Sequence, residues 1–135
     1  MTQENEKRLS IIREALPRFE EPQRIEHTLG VYRECLWMSK VFRLSEEEAY
    51  TVCAAALLHD IAKTLPLEKA LLLAEKQGKT LKTDVPTVIH QYAGAMLALE
   101  EFGRELVNDE MLSAIACHTT GKAGMTMLDK MLFVA

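Results

Sequence analysis

A chain of 135 residues with 48% hydrophobic side chains has the length and apolar content for one domain around one core, with no need of a disulfide. Its formal net charge of -4 offers no general basic surface for a nucleic-acid backbone, so nucleic acid is not an expected partner and a polyanionic ligand has to be held by local cations or by metal. No stretch approaches the roughly 20 apolar residues of a membrane span, and the polar start MTQENEKRLS resembles neither a signal peptide nor a transit peptide, which points to a cytoplasmic protein.

Strand-like alternation is scarce, and the four prolines and six glycines form no linker, so the expected fold is all-α, a single helical-bundle domain over residues 1–135. The first helix is expected over Gln3 to Leu16, with Leu9, Ile12 and Leu16 on one stripe and Pro17 ending it. A second starts near Pro22 and runs through His27, Val31 and Met38 toward Phe42. Ser45 followed by Glu48 is a capping box, the clearest helix start in the chain, and the acids around it favour the positive helix end. Behind it the run from Cys53 to Leu58 is apolar all round, which marks a helix buried on most sides, with alanines that let neighbours approach. This is the expected central helix, and the doublet His59-Asp60 is placed inside it.

A helix from Leu67 to Lys76 closes at Gly78, and a polar loop, KTLKTD, leads to Val85 and Pro86. The next carries His90 through Glu101 to Gly103. Asp109 is expected to cap the helix that holds Ile115 and His118, the stretch TTGKAG breaks it, and Thr126 opens a last helix, MLDKMLFVA. An apolar end without a cap or a polar turn points to a natural polypeptide longer than this chain. Cys35, Cys53 and Cys117 are odd in number and lack CxxC spacing, as buried reduced thiols would be. Trp37 and the methionines Met96, Met111, Met125, Met127 and Met131 read as core.

The only four histidines, His27, His59, His90 and His118, each fall on an expected helix or at its end, next to apolar residues. They recur roughly every 30 residues, about one helical hairpin apart, so successive helices can project one imidazole each into a shared interior. Asp60 follows His59 directly where LLHDIAKTL leaves the apolar run. A carboxylate there needs a counter-charge, because burying it alone costs several kcal/mol, and a metal ion is a common solution. One histidine alone reads as an ordinary core or surface residue; the set of four with one acid reads as a metal site.

The order His27, His59-Asp60, His90, His118 resembles the H...HD...H...H pattern of HD-domain metal phosphohydrolases. The runs LLHDIAK, VIHQYAGA, AIACHTTG and MTMLDKMLFVA extend that resemblance, over about Arg24 to Ala135, to the YqeK-like branch of symmetrical bis(5'-nucleosyl)-tetraphosphatases. The resemblance implies an HD-domain helical bundle with its metal site in the interior, and two divalent metal ions, iron in that family, with manganese, nickel or zinc open on ligand chemistry. His27, His59 and Asp60 would hold one ion, Asp60 would bridge, and His90 and His118 would hold the other. The implied reaction is cleavage of a dinucleoside polyphosphate such as diadenosine tetraphosphate into two nucleoside diphosphates by a metal-activated water. In that family the last helix continues into an Asp that completes the first ion's ligands, one residue past Ala135, which is where this chain stops. A non-catalytic nucleotide-binding module, or a different nucleotide phosphohydrolase, therefore remains the alternative reading.

Among supporting residues, Lys63 is a candidate catalytic and substrate-binding cation that equally reads as a solvated lysine at a helix end. Arg24, one turn before His27, carries the same two readings, with exposure favoured. Thr120 and Gly121 are candidate substrate contacts or simply a turn, and His90 is a candidate substrate contact as well as a ligand. Cys117 is set aside as a ligand because adjacent helical residues point about 100° apart. Lys122 and Lys130 read as solvated charges.

Overall fold

The structure, a computed structural model, describes residues 1–78, 81 and 83–135; the rest of the expected KTLKTD loop lies outside the described residues. Among the described residues there are seven α-helices and no strand. They are α1 (Gln3–Ala15), α2 (Pro22–Val41), α3 (Glu46–Leu58), α4 (Leu67–Glu75), α5 (Pro86–Leu106), α6 (Asp109–Ala116) and α7 (Met127–Val134), with a short 3-10 turn at Leu16–Arg18 after α1.

The starts of these helices follow from local chemistry. Ser45 accepts from the Glu48 N–H at 3.2 Å while Glu48 returns an acceptor to the Ser45 N–H at 3.0 Å, the reciprocal capping box that opens α3. Thr126 and Asp129 repeat the arrangement at α7. Proline at the first position opens α2 and α5, where its missing N–H costs nothing. One expected cap is displaced: Asn108, not Asp109, caps α6, because its carbonyl oxygen accepts from the Met111 N–H at 2.9 Å while its amide donates to Thr51 at 2.9 Å on α3. Asp109 instead pairs with Arg104 at the surface.

α3 lies at the centre of the bundle. Every residue from Tyr50 to Leu58 is buried, and α1, α2, α6 and α7 all pack on it. Its alanines permit this, since Ala54, Ala55 and Ala56 bring neighbouring backbones close without a cavity. α5 packs along α4 and α6, and at Gly94 it runs so near the turn after α3 that a Cβ there would sit 3.5 Å from the His59 carbonyl and 3.4 Å from Ile115 Cγ2. Gly103, at φ 74°, breaks the end of α5 with a left-handed residue that an L side chain adopts only with strain.

Two assignments to the core do not hold. Trp37 is 61% exposed and Met127 also faces solvent. On α2 the buried stripe runs through Thr28, Val31, Tyr32, Cys35 and Met38, and Trp37 lies off it. The three cysteines are free and buried, as expected. No helix among the described residues is long and apolar enough to cross a membrane.

Candidate metal centre

The His-Asp doublet stands at the end of the central helix rather than inside it. α3 stops at Leu58, His59 is its C-cap, and the chain then turns, with the Lys63 N–H donating to the Asp60 carbonyl at 3.1 Å. His118 likewise lies just past α6, with its N–H bonded to Ile115 O at 3.4 Å. Both residues stand at helix ends, one of the two places expected for the histidines, although the doublet is not inside α3 and His118 is not within α6. Helix ends release backbone carbonyls from the ladder, and both imidazoles use one.

His59 Nδ1 lies 2.6 Å from Ala56 O, and His118 Nδ1 lies 2.6 Å from Ile115 O. A carbonyl only accepts, so each Nδ1 carries the proton and each Nε2 of the neutral ring carries a lone pair. Those lone pairs aim at one carboxylate. His59 Nε2 is 3.6 Å from Asp60 Oδ2, His27 Nε2 is 3.9 Å from the same oxygen, and His118 Nε2 is 3.9 Å from Oδ1. The His59 ring packs between the other two, with centroids 5.8 Å from His27 and 5.2 Å from His118. His27, on α2, is half exposed and forms the outer wall.

Burial drives the electrostatics. It pulls His59 down to about 4, against the Asp60 carboxylate, which pulls the other way, and it lowers His118 as well. Both rings are therefore neutral near pH 7, the form in which imidazole binds a metal. For Asp60, burial works against ionisation, but the positive charge of a protonated His59, of Arg24 and of Lys63, with the Arg24 hydrogen bond, outweighs it and holds the carboxyl below its ordinary value. At neutral pH, with His59 uncharged, Arg24 is the principal counter-charge: it bonds Asp60 Oδ2 through Nη2 and is not the exposed arginine that its place on α2 suggested.

Beside this cluster lies a cavity of about 230 Å³ walled by His59, Asp60, Lys63, His90, Gln91 and His118, with Pro86, Thr87 and Thr119 at its edge. His90 faces the cavity, but its Nε2 donates to Leu65 O at 3.2 Å, and it makes no ion-pair contact with Asp60 among the described residues. Lys63 is exposed at the cavity wall. Thr119, which the sequence reading passed over in favour of its neighbour, lines the cavity, whereas Thr120 and Gly121 stand behind it. Gln91, also missed, is fully buried: its Oε1 accepts from the Thr119 N–H at 3.0 Å and the Thr120 N–H at 3.3 Å, and its Nε2 donates to Thr120 Oγ1 at 3.0 Å. The signal was a single amide in the otherwise apolar reach of VIHQYAGAML. Lys122 is an exposed charge, as its loop position suggested, and it also donates to Ser113 Oγ at 2.7 Å and stands 3.9 Å from the buried Asp129.

These residues fit a divalent cation. His27, His59 and Asp60 each offer a ligand atom within 4.8 Å of the others. Imidazole and carboxylate suit iron, manganese, nickel and zinc alike. The backbone bonds to His59 and His118 Nδ1 are the outer contacts by which metal-ligating histidines are usually oriented.

Comparison with known proteins points the same way. The family model described as HD domain matches residues 24–135. A symmetrical bis(5'-nucleosyl)-tetraphosphatase of Bacillus subtilis (strain 168) is 34% identical over 111 residues, 81% of this chain and 57% of that protein. An enzyme of the same description from Halalkalibacterium halodurans is 32% identical over 117 residues, 83% of this chain and 58% of its own length. This chain thus spans little more than half the length of these relatives. Among solved structures, a predicted HD superfamily hydrolase involved in NAD metabolism from Clostridium acetobutylicum superposes with a TM-score of 0.79 at 29% identity, covering 93% of this chain and 65% of that one. With an all-helical fold, imidazoles converging on the Asp of the doublet, and a family match over most of its length, the chain belongs to the HD domain family.

Proposed function

We propose that this domain hydrolyses dinucleoside polyphosphates such as diadenosine tetraphosphate symmetrically, adding one water across the central P–O–P linkage to give two nucleoside diphosphates. The observation that carries the reading is the aim of three imidazole Nε2 atoms at the two oxygens of Asp60. In this reading His27, His59 and Asp60 would hold one divalent cation, and His90 and His118 would hold a second; iron is the expected metal. Bound there, such a pair supplies Lewis acidity toward the phosphoryl oxygens and an acidified water.

The remaining work falls to the chain itself. Asp60 stays ionised and His59 and His118 neutral, so these three are ready to bind cations without first shedding protons. Lys63 at the cavity wall and Arg24 beside Asp60 would meet phosphate charge, with His90 assigned to the substrate; Thr120 and Gly121, which do not line the cavity, are left to the loop behind it. A cavity of about 230 Å³ lies below the usual volume of a small-molecule pocket, so it suits the scissile phosphates rather than a whole nucleoside. The relatives named as symmetrical tetraphosphatases support the choice of linkage.

The deciding experiment combines metal analysis of the purified chain with chromatography of products from diadenosine tetraphosphate. ADP alone is expected, with bound metal, and Asp60→Ala is expected to lose both. AMP with ATP would refute symmetrical cleavage, and equal turnover by Asp60→Ala would remove that residue from the mechanism. A second reading, another nucleotide phosphohydrolase, is favoured by the structural relative involved in NAD metabolism. Faster release of phosphate from a nicotinamide or mononucleotide substrate than of ADP would select it.

A further inference from the structure

Asp60 already has a cation on it. Arg24 donates through Nη2 to Asp60 Oδ2, the same oxygen that His59 Nε2 faces at 3.6 Å and His27 Nε2 at 3.9 Å. A divalent cation held by those three residues would share Oδ2 with a guanidinium. Two positive charges on one partly buried oxygen repel, so one has to yield.

The chain holds a place for the arginine to go. Glu20, just ahead of α2, is only 6% exposed; its Oε1 accepts the Thr28 hydroxyl at 2.7 Å, and its Oε2 is buried with no hydrogen-bond partner. Arg24 Nε is buried and also without a partner. Thr28 follows Arg24 by one helical turn, so a carboxylate docked on Thr28 lies along the stripe of α2 that carries Arg24. The charges of Arg24 and Asp60 both act on Glu20. A buried acceptor and a buried N–H, each unsatisfied and near one another, are complementary after a shift of one flexible side chain.

We propose that Arg24 is a resident counter-cation that a divalent cation displaces from Asp60, and that Glu20 is the positioning residue that receives its Nε–H. The inference rests on the reading of Asp60 as a metal ligand. With Nε held by Glu20, the Nη edge is free for a phosphoryl oxygen, so metal loading and the arming of a phosphate-binding arginine become one event. In the metal-free protein the same arginine keeps the carboxylate compensated.

The test is Mn²⁺ binding by calorimetry on chelator-stripped protein, with the thermal midpoint of the metal-free form measured in parallel, for the parent chain, Arg24→Met, Arg24→Lys, Glu20→Gln and the double variant. Arg24→Met is expected to bind Mn²⁺ about tenfold more tightly while its metal-free form melts lower, opposite signs that a merely structural arginine does not give. Arg24→Lys returns the affinity toward that of the parent. Glu20→Gln weakens binding by about tenfold in the parent and hardly at all beside Arg24→Met, because no guanidinium is left to receive. Unchanged or weaker binding in a folded Arg24→Met overturns the proposal and leaves Asp60 as a ligand; so does an equal effect of Glu20→Gln in both backgrounds. If Arg24→Met does not fold, Glu20→Gln decides alone, and unchanged affinity there overturns the proposal. A parent chain that binds no Mn²⁺, or parent-like binding by Asp60→Asn, removes the metal reading and this inference with it.

Discussion

Gln91 shows how much one side chain can fix. Its amide oxygen takes two successive backbone N–H groups of the loop that follows His118, from a position with no solvent exposure. Gln91→Leu keeps the bulk but removes the acceptor, and the expected cost is about 1–2 kcal/mol in urea denaturation, with weaker Mn²⁺ binding because the loop behind His118 loses its anchor. Loss of stability with unaltered Mn²⁺ affinity would confine Gln91 to the fold. Trp37 makes a different test. As the only tryptophan, and 61% exposed, it should be quenched by acrylamide in the native chain nearly as fully as in urea; strong protection in the native state would mean that another surface covers it. The sequence suggested a core tryptophan, but the stripe of Val31, Cys35 and Met38 on α2 faces inward without it.

At the level of elements, the capping box of Ser45 and Glu48, the start of α2 at Pro22, the opening of α7 at Thr126 and the unbroken apolar run of α3 were legible because each is a short-range signal with a local cause. The ends of α3 and α6 were not. Whether His59 and His118 continue a helix or leave it depends on carbonyls that tertiary packing frees, and the spacing of histidines in the chain carries no trace of that. The approach of α5 to the turn after α3 belongs to the same class. Gly94→Leu should drive a side chain into the His59 carbonyl and Ile115, at a cost of about 1–3 kcal/mol by thermal melting, whereas Gly94→Ala, at ordinary contact distance, should cost far less. Another inter-element contact has a pH signature. The Glu46 carboxylate at the start of α3 accepts the Thr2 N–H at 2.5 Å and the Asn5 amide at 3.1 Å, and these bonds lower its pKa. A carboxyl lowered on folding adds stability above its ordinary value near 4.5 and loses it as pH falls further, because the unfolded chain binds the proton first. The opening free energy of α1 amides, taken from exchange rates divided by their intrinsic rates at each pH, should therefore fall on acidification, and Glu46→Gln should flatten that dependence.

For the whole molecule, burial of three thiols in one bundle gives a direct measure of cooperativity. Burial pushes Cys35 and Cys53 up to about 12 and raises Cys117, so at pH 8 the folded chain should react with maleimide only as fast as it opens, while all three label at once in denaturant. Rapid labelling of one thiol in the native protein would reveal a loose sub-region. The all-helical class was visible from composition, and the approach of His27, His59 and His118 to a single acid from spacing; the turn of His90 to the Leu65 carbonyl and the roles of Arg24 and Glu20 were not, since a charged residue near a helix start reads as surface until the partner that desolvates it is placed.

The position of His59 and His118 at the carbonyl-rich ends of two helices has a consequence that no side chain controls. Peptide dipoles of α3 and α6 sum to partial negative charge at those ends, so the main chain itself draws cations toward the cluster. Alanine at any one imidazole leaves that potential in place, so single variants should weaken metal retention in steps instead of abolishing it, and a proline that unravels the last turn of either helix should harm retention more than losing a ring does.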